Sequence, residues 1–68
     1  HDDVINEINS ICDRVFAERR AFDAAPRNSY QRRLQHGIVS DRNLSSLSIG
    51  EEPNRRVRVY PQLSTMDD

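Results

Sequence analysis

Residues 46–59 read SLSIGEEPNRRVRV, and this stretch decides the fold class. An apolar residue follows each serine, and after the central segment valine alternates with arginine. Such alternation predicts two strands, each with one buried face. Pro53 cannot donate a hydrogen bond to a strand ladder, which favours a loop between them. We therefore predict a β-hairpin with residues 50–54 as its loop. The buried positions are Leu47, Ile49, Val57 and Val59, and the residues left for the open face are Ser46, Ser48, Arg56 and Arg58.

A first helix is predicted from about Asp3 to Arg19, because apolar residues recur there at spacings of three and four. Its stripe consists of Val4, Ile5, Ile8, Ile11, Cys12, Val15 and Phe16. Cys12 lies within this stripe, which favours a small buried hydrophobic side chain over a reactive thiol. We assign Cys12 no chemistry.

A second helix is predicted from Ser29 to about Arg42. Asn28 is a good N-cap, and Gln31 three residues later can complete a capping box. Tyr30, Leu34 and Ile38 recur at steps of four and predict the buried stripe of this helix. Arg32 and His36 are displaced by two residues from that stripe, about 200° around the helix, so they are predicted to face solvent.

The short segment 21–25 ends at Pro26 and favours an edge strand. The element order is then helix, strand, helix, strand, strand. This order predicts an α+β fold in which two helices pack on one face of a small, mainly antiparallel three-stranded sheet. We expect one domain over residues 1–61 and a frayed tail over 62–68.

Composition limits the possible functions. A chain of 68 residues has a small core and little room for a catalytic cavity. One cysteine and two histidines allow neither an intrachain disulfide nor a four-ligand structural zinc site. No stretch is apolar enough for a membrane span or a secretory signal. We expect a soluble intracellular module without cofactor or metal, excised from a longer protein.

Charge is unevenly distributed along the chain. Residues 1–26 carry three arginines against six acids, whereas residues 27–60 carry seven arginines against three acids. A segment with net charge of plus four inside a chain of net charge minus one predicts a phosphate-binding surface. The alternative is a compositional habit of an arginine-rich proteome.

Arg32 and His36 place a permanent cation one helical turn from a titratable imidazole. A phosphate held between them would accept charge-assisted hydrogen bonds, and binding would weaken as pH rises. The alternative is a solvated helix face without function. The phosphate interpretation requires both side chains to be exposed and free of permanent carboxylate partners.

Residues 26–61 resemble the R-three-H domain, which is named for an Arg-x-x-x-His signature. The resemblance rests on Asn28, Tyr30, Arg32, Arg33 and His36 and on the later run Glu51-Glu52-Pro53-Asn54-Arg55-Arg56. It is closest to bacterial and plastid forms. It implies a small α+β domain that binds single-stranded RNA or DNA and is not an enzyme. It also implies a cytoplasmic or plastid stromal location and a neighbouring KH module or AAA-type ATPase in the parent protein.

The candidate nucleic-acid-binding residues are Arg32, His36, Arg33, Arg56, Arg58 and Arg55. Arg33 can either extend the basic face or cover a neighbouring carboxylate. Arg56 shares strand parity with Arg58, which favours a place on the open face. Arg55 shares parity with Val57, which favours a structural role, and a local salt bridge to the preceding glutamates is an alternative for both Arg55 and Arg56.

Two positions depart from the family pattern. Gly37 follows the signature histidine where an acidic or bulky residue is usual, so the second helix could be shortened or a ligand could approach more closely. Arg42 stands where an apolar residue is common, which makes the end of that helix less certain.

Two other classes of function are compatible with a small domain. A protein-interaction or assembly domain would use the open sheet face and the acidic first helix. A hydrolase with His36 as base lacks a nearby nucleophile, a metal set and a closed cleft, which argues against it.

Overall fold

The computed structural model describes residues 2–62. It contains five elements in the predicted order: α1 (Asp2–Glu18), β1 (Phe22–Asp23), α2 (Ser29–Asp41), β2 (Ser45–Ile49) and β3 (Arg56–Tyr60). Both helices lie on one face of the sheet, so the predicted α+β fold class is confirmed.

The three strands form an antiparallel sheet in the order β1-β3-β2. β3 is central, and β1 is an edge strand as predicted. On β2, Ser46 lies opposite Val59 and Ser48 lies opposite Val57. On β1, Phe22 lies opposite Val59 and Asp23 lies opposite Arg58.

The core lies between the helices and the sheet. It consists of Ile8, Cys12, Val15, Ala24, Val39, Leu44, Val57 and Val59. Cys12 is fully buried, and desolvation raises the pKa of its thiol, in agreement with its predicted role as a small hydrophobic residue. At the rim, Arg14 and Arg20 each lie 4.2 Å from the centre of the Phe22 ring and shield it from water.

The face predicted for β2 is wrong. Directly opposed residues on antiparallel strands share a face, and Val57 and Val59 are both fully buried under the helices. Ser46 and Ser48 therefore point into the domain, whereas Leu47 is 60% exposed on the open face. The alternation of apolar residues predicted the wrong buried face because the two serine hydroxyls have a polar partner within the domain.

The buried face predicted for α2 is also wrong. Tyr30 is 63% exposed, and the residues of α2 that are buried are Arg32, Gln35 and Val39. The inward face of this helix carries Arg32, Gln35 and Val39, and of the predicted stripe only Ile38 packs in part against the core. The predicted exposure of Arg32 is overturned by the same observation.

The structure confirms the predicted capping box and shows what happens at Gly37 and Arg42, the two departures from the family pattern. The Asn28 side chain accepts from the Gln31 backbone, and the Gln31 side chain accepts from the Asn28 backbone. The helix passes through Gly37 without interruption to Asp41. Arg42 caps it and reaches α1, where its Nη2 atom lies 2.6 Å from an Asp13 carboxylate oxygen. Gly37 therefore does not shorten α2.

The predicted hairpin loop joins β2 to β3. Gly50 adopts a φ of +84°, which favours glycine, and a Cβ atom at this position would lie 2.9 Å from Nη1 of Arg56. The frayed tail predicted for residues 62–68 falls, from residue 63 onward, outside the described residues. Between residues 2 and 62, neither helix combines the length and the apolar character that a membrane crossing requires.

Candidate nucleic-acid interface

Arg32 lies in the first turn of α2 and points toward the hairpin loop. Its side chain is 9% exposed, and its Nη1 atom donates to the Arg27 carbonyl oxygen at 2.6 Å. The same atom lies 3.1 Å from a carboxylate oxygen of Glu52, whose side chain is 63% exposed. The signature arginine is thus a buried cation with one internal partner and one partner at the surface.

His36 lies on the same side of α2 but contacts a different element. Its Nδ1 atom lies 2.6 Å from Ser46 Oγ, and its Nε2 atom lies 2.8 Å from Ser48 Oγ. Burial, with a further contribution from the charge of Arg32, lowers the pKa of His36 below its ordinary value of 6.5. Both ring nitrogens are engaged within the domain, and the neutral form is favoured. The geometry therefore favours a link between α2 and β2 over a phosphate ligand.

Where the start of α2 meets the hairpin loop, three arginine side chains and the backbone of a fourth arginine contact the loop or its ends. We call this region the hairpin end and define it by Arg27, Arg32, Glu52, Arg55 and Arg56. The Arg27 backbone N–H donates to the Arg55 carbonyl at 3.3 Å, which fixes the approach to α2 against the start of β3. The arginine side chains are oriented by backbone carbonyls: Arg55 Nη1 lies 2.8 Å from Gly50 O, and Arg56 Nη1 lies 3.2 Å from Asn54 O.

Arg56 and Arg58 lie on the open face of the sheet, as predicted. Asp23 bridges them: its carboxylate accepts from Arg56 Nε at 3.0 Å, and from Arg58 Nε at 2.6 Å and Nη2 at 3.1 Å. Hydrogen bonds from Arg58, and then from Arg56, lower the pKa of Asp23 despite the opposing effect of burial. The two guanidinium groups are therefore held in place, and part of their charge is neutralised.

Arg33 lies on the outer side of α2, away from Arg32. It lines an open groove of about 360 Å³ together with Tyr30, Leu34, Gly37, Ile38 and Asp41. Arg33 is exposed and forms no ion pair within residues 2–62. The six predicted binding residues therefore occupy distinct surfaces. Arg32, Arg55 and Arg56 meet at the hairpin end, Arg58 continues across the open sheet face, and Arg33 and His36 stand apart from both.

Three residues important to this arrangement were missed in the sequence. Glu7 on α1 accepts from Arg27 Nη2 at 3.2 Å, from the Ala25 backbone at 2.8 Å and from Gln35 Nε2 at 3.5 Å. Glu7 holds the Arg27 side chain at the edge of the domain through an ion pair, and Glu52 forms the equivalent ion pair with Arg32. The sequence does not show that Gln35 is buried, and nothing in the spacing of Glu7, Arg27 and Gln35 identifies them as partners.

Arginines gathered at one end of a small two-layer α+β domain are the electrostatic footprint expected of a nucleic-acid-binding domain. Residues 5–61 match the R-three-H domain. The chain therefore belongs to the R-three-H family, a family of nucleic-acid-binding modules rather than of catalytic domains. The resemblance predicted from the Arg-x-x-x-His run is confirmed, and the match extends back into α1.

A relative is found in the red alga Porphyra purpurea, described as uncharacterized protein ycf45. The two sequences are 35% identical over 48 residues, which cover 71% of this chain. The matched region is 8% of the relative, so the chain spans a small part of that protein's length. The similarity therefore concerns this domain alone.

Proposed function

We propose that this chain binds single-stranded RNA or DNA through backbone phosphates at the hairpin end. The observation that carries the proposal is that Arg32, Arg55 and Arg56 all contact residues of the hairpin loop, beside the backbone of Arg27, in a domain from a nucleic-acid-binding family. The overall charge of the chain is minus one, so this concentration is not a consequence of general basicity.

The guanidinium groups at the hairpin end suit phosphate because each offers several N–H donors in a fixed plane. Arg55 and Arg56 are partly exposed and already oriented by carbonyl oxygens. Each therefore loses less conformational freedom on binding than an arginine moving freely in solvent. Arg32 is more deeply buried than Arg55 and Arg56, and its positive charge would attract a phosphate further into the hairpin end.

Preference for a single strand follows from what adjoins the hairpin end. Arg56 belongs both to the hairpin end and to the open face, and Arg58 continues the basic track along β3. Leu47 lies opposite Arg58 on that face, and Tyr60 lies at its far end. Apolar and aromatic side chains beside arginines can contact the faces of unpaired bases, which a duplex does not present.

His36 has a positioning role in this proposal. It ties α2 to β2 and so sets the depth of the helix that bears Arg32. Protonation of His36 is not required for phosphate binding, in contrast to the sequence-based expectation that binding weakens as the imidazole deprotonates.

Fluorescence anisotropy with labelled RNA and DNA oligonucleotides, single and double stranded, tests the proposal at several salt concentrations. If about three phosphates are neutralised, the logarithm of affinity should fall against the logarithm of salt with a slope near −2 for a single strand. A slope near zero, or tighter binding of duplexes, contradicts the proposal. Arg14→Gln, which removes one positive charge from α1, is the control for loss of charge alone.

A second candidate is a protein-interaction domain that uses the open sheet face. The exposure of Leu47, with Ile49 beside it, favours this function, as does the partial neutralisation of Arg56 and Arg58 by Asp23. It predicts partner capture that is insensitive to salt and no binding of oligonucleotides. Substituting Leu47→Lys would then abolish capture without unfolding the domain.

We propose further that the domain acts inside a longer protein, where it tethers a neighbouring KH module or AAA-type ATPase to its template. The cytoplasm or a plastid stroma would be its location. The large remaining length of the algal relative supports a multidomain context. Binding by the isolated domain is expected to be weak, because few aromatic side chains are available for stacking on bases.

A further inference from the structure

We infer that Glu52 occupies the place on Arg32 that a nucleic-acid phosphate takes, so that the free domain masks part of its own binding site. This inference rests on the proposed function and concerns the regulation of the same site. Glu52, an acidic residue at an end of the domain that is otherwise rich in arginine, would then compete with the ligand for Arg32.

The burial of the two partners is unequal. The Arg32 side chain is 9% exposed and that of Glu52 is 63% exposed, at a separation of 3.1 Å. A buried guanidinium requires a hydrogen-bonding or charged partner, because its desolvation is otherwise uncompensated. Arg32 keeps the Arg27 carbonyl as one such partner and is further stabilised by an anionic group at this position, whereas Glu52 is largely hydrated and does not need Arg32.

The contrast with Glu7 shows that the contact of Glu52 is replaceable. Glu7 accepts hydrogen bonds from three groups on two segments, the connection between β1 and α2 and α2 itself, and is 25% exposed, so its removal would disturb the packing of α1. Glu52 forms one ion pair, with Arg32, among the residues that the structure describes. Its carboxylate can turn into water while the loop that bears it keeps its own backbone hydrogen bond from Asn54 to Glu51.

Carboxylate and phosphate oxygens accept from guanidinium in the same geometry. When a phosphate enters, Arg32 exchanges one anionic oxygen for another and retains its bond to the Arg27 carbonyl. Arg32 has an anionic partner before and after the exchange, and the largely exposed Glu52 carboxylate returns to water. The exchange therefore costs little, and the main effect of Glu52 is to compete with the ligand and to repel it.

The test compares substitutions at two adjacent glutamates. Glu52→Gln and the control Glu51→Gln remove the same charge from the same loop, but only Glu52 contacts Arg32. We expect the affinity of a labelled single-stranded oligonucleotide to rise about three- to fivefold for Glu52→Gln and less than about twofold for Glu51→Gln. Glu52→Asp and Glu51→Asp keep the charge, and of these two only Glu52→Asp should raise affinity, because its shorter side chain cannot hold Arg32 as well.

The outcomes separate the two proposals. Equal gains for Glu52→Gln and Glu51→Gln, or no gain for either substitution of Glu52, would overturn the inference while leaving the proposed function intact. Absence of binding for the unsubstituted chain and every variant would overturn the proposed function, and the inference with it. Circular dichroism and urea unfolding of each variant establish that differences in affinity do not arise from loss of the fold.

Discussion

Nε2 of His36 lies 2.8 Å from Oγ of Ser48. The other ring nitrogen lies 2.6 Å from Oγ of Ser46, so one imidazole spans two successive inward positions of β2. Serine in a strand would leave its hydroxyl unsatisfied against the helix layer, and histidine on a helix would lose its hydration there. Each residue removes the cost of burying the other, which explains why the signature histidine packs against serines.

Substitution of His36 by alanine should therefore lower the free energy of unfolding. Two hydroxyls would lose their partner, and each such loss costs about 1–3 kcal/mol when the group is buried; because both hydroxyls are only partly buried, we expect a total in the lower part of the summed range, about 2–4 kcal/mol. Urea unfolding followed by circular dichroism measures this change. Arg33→Ala on the exposed side of α2 is the control and should cost much less. A His36→Ala domain as stable as the original chain would refute a structural role for the imidazole.

Stability should also depend on pH through His36. Burial lowers the pKa of His36 in the folded domain below 6.5, so the unfolded chain takes up a proton at higher pH than the folded one. As the solution is acidified, the unfolded state therefore binds more protons than the folded state. The stability that His36 contributes is fully present above about pH 6.5 and is lost as the pH drops through that value.

The measurement is the urea midpoint between about pH 7.5 and pH 5.5, a range in which Asp23 stays ionised because its pKa is lowered. His36→Gln should flatten the dependence in this range. If the urea midpoint of the unsubstituted chain rises on acidification, the predicted direction of the pH dependence is wrong.

The two glycines should respond to alanine in opposite directions. An added Cβ at Gly37 meets nothing within 4 Å, and alanine is preferred to glycine inside a helix by about 0.5–1 kcal/mol, so Gly37→Ala should stabilise the domain. Gly50 has a φ of +84°, and its added Cβ would lie 2.9 Å from Arg56, so Gly50→Ala should destabilise by more than about 1 kcal/mol. Thermal unfolding of both variants provides the comparison, and destabilisation by Gly37→Ala would contradict the open geometry of α2.

Glutamine substitutions of single arginines should map the ligand. We expect Arg55→Gln and Arg56→Gln to weaken oligonucleotide binding by about five- to tenfold, because each removes a charged phosphate contact at the hairpin end. Arg33→Gln should change affinity by less than about twofold, although it removes the same charge. Asp23 keeps Arg58 as a partner when Arg56 is replaced, so the sheet is preserved.

Anisotropy titrations at one salt concentration give these affinities. A larger loss for Arg33→Gln than for Arg55→Gln would move the interface to the outer groove of α2. Equal losses for all three substitutions and for the Arg14→Gln control would indicate attraction by net charge without a defined site.

The local elements were predictable because their signals are local. Asn28 and Gln31 stand three residues apart, and the capping box that they form depends on little else. The hairpin loop follows in the same way from Gly50 and Pro53. The order of elements and the family resemblance in turn predict the α+β fold, and both were confirmed.

What the sequence by itself determined was the succession of helices and strands, the capping of α2 and the position of the hairpin, since each depends on residues only a few positions apart. What only the tertiary structure decided was which face of α2 and of β2 is buried. Arg32 is paired by Glu52, twenty residues later, and His36 by Ser46 and Ser48. A prediction from hydrophobic periodicity places polar side chains in water. In this domain, polar partners that folding brings close take the place of that water.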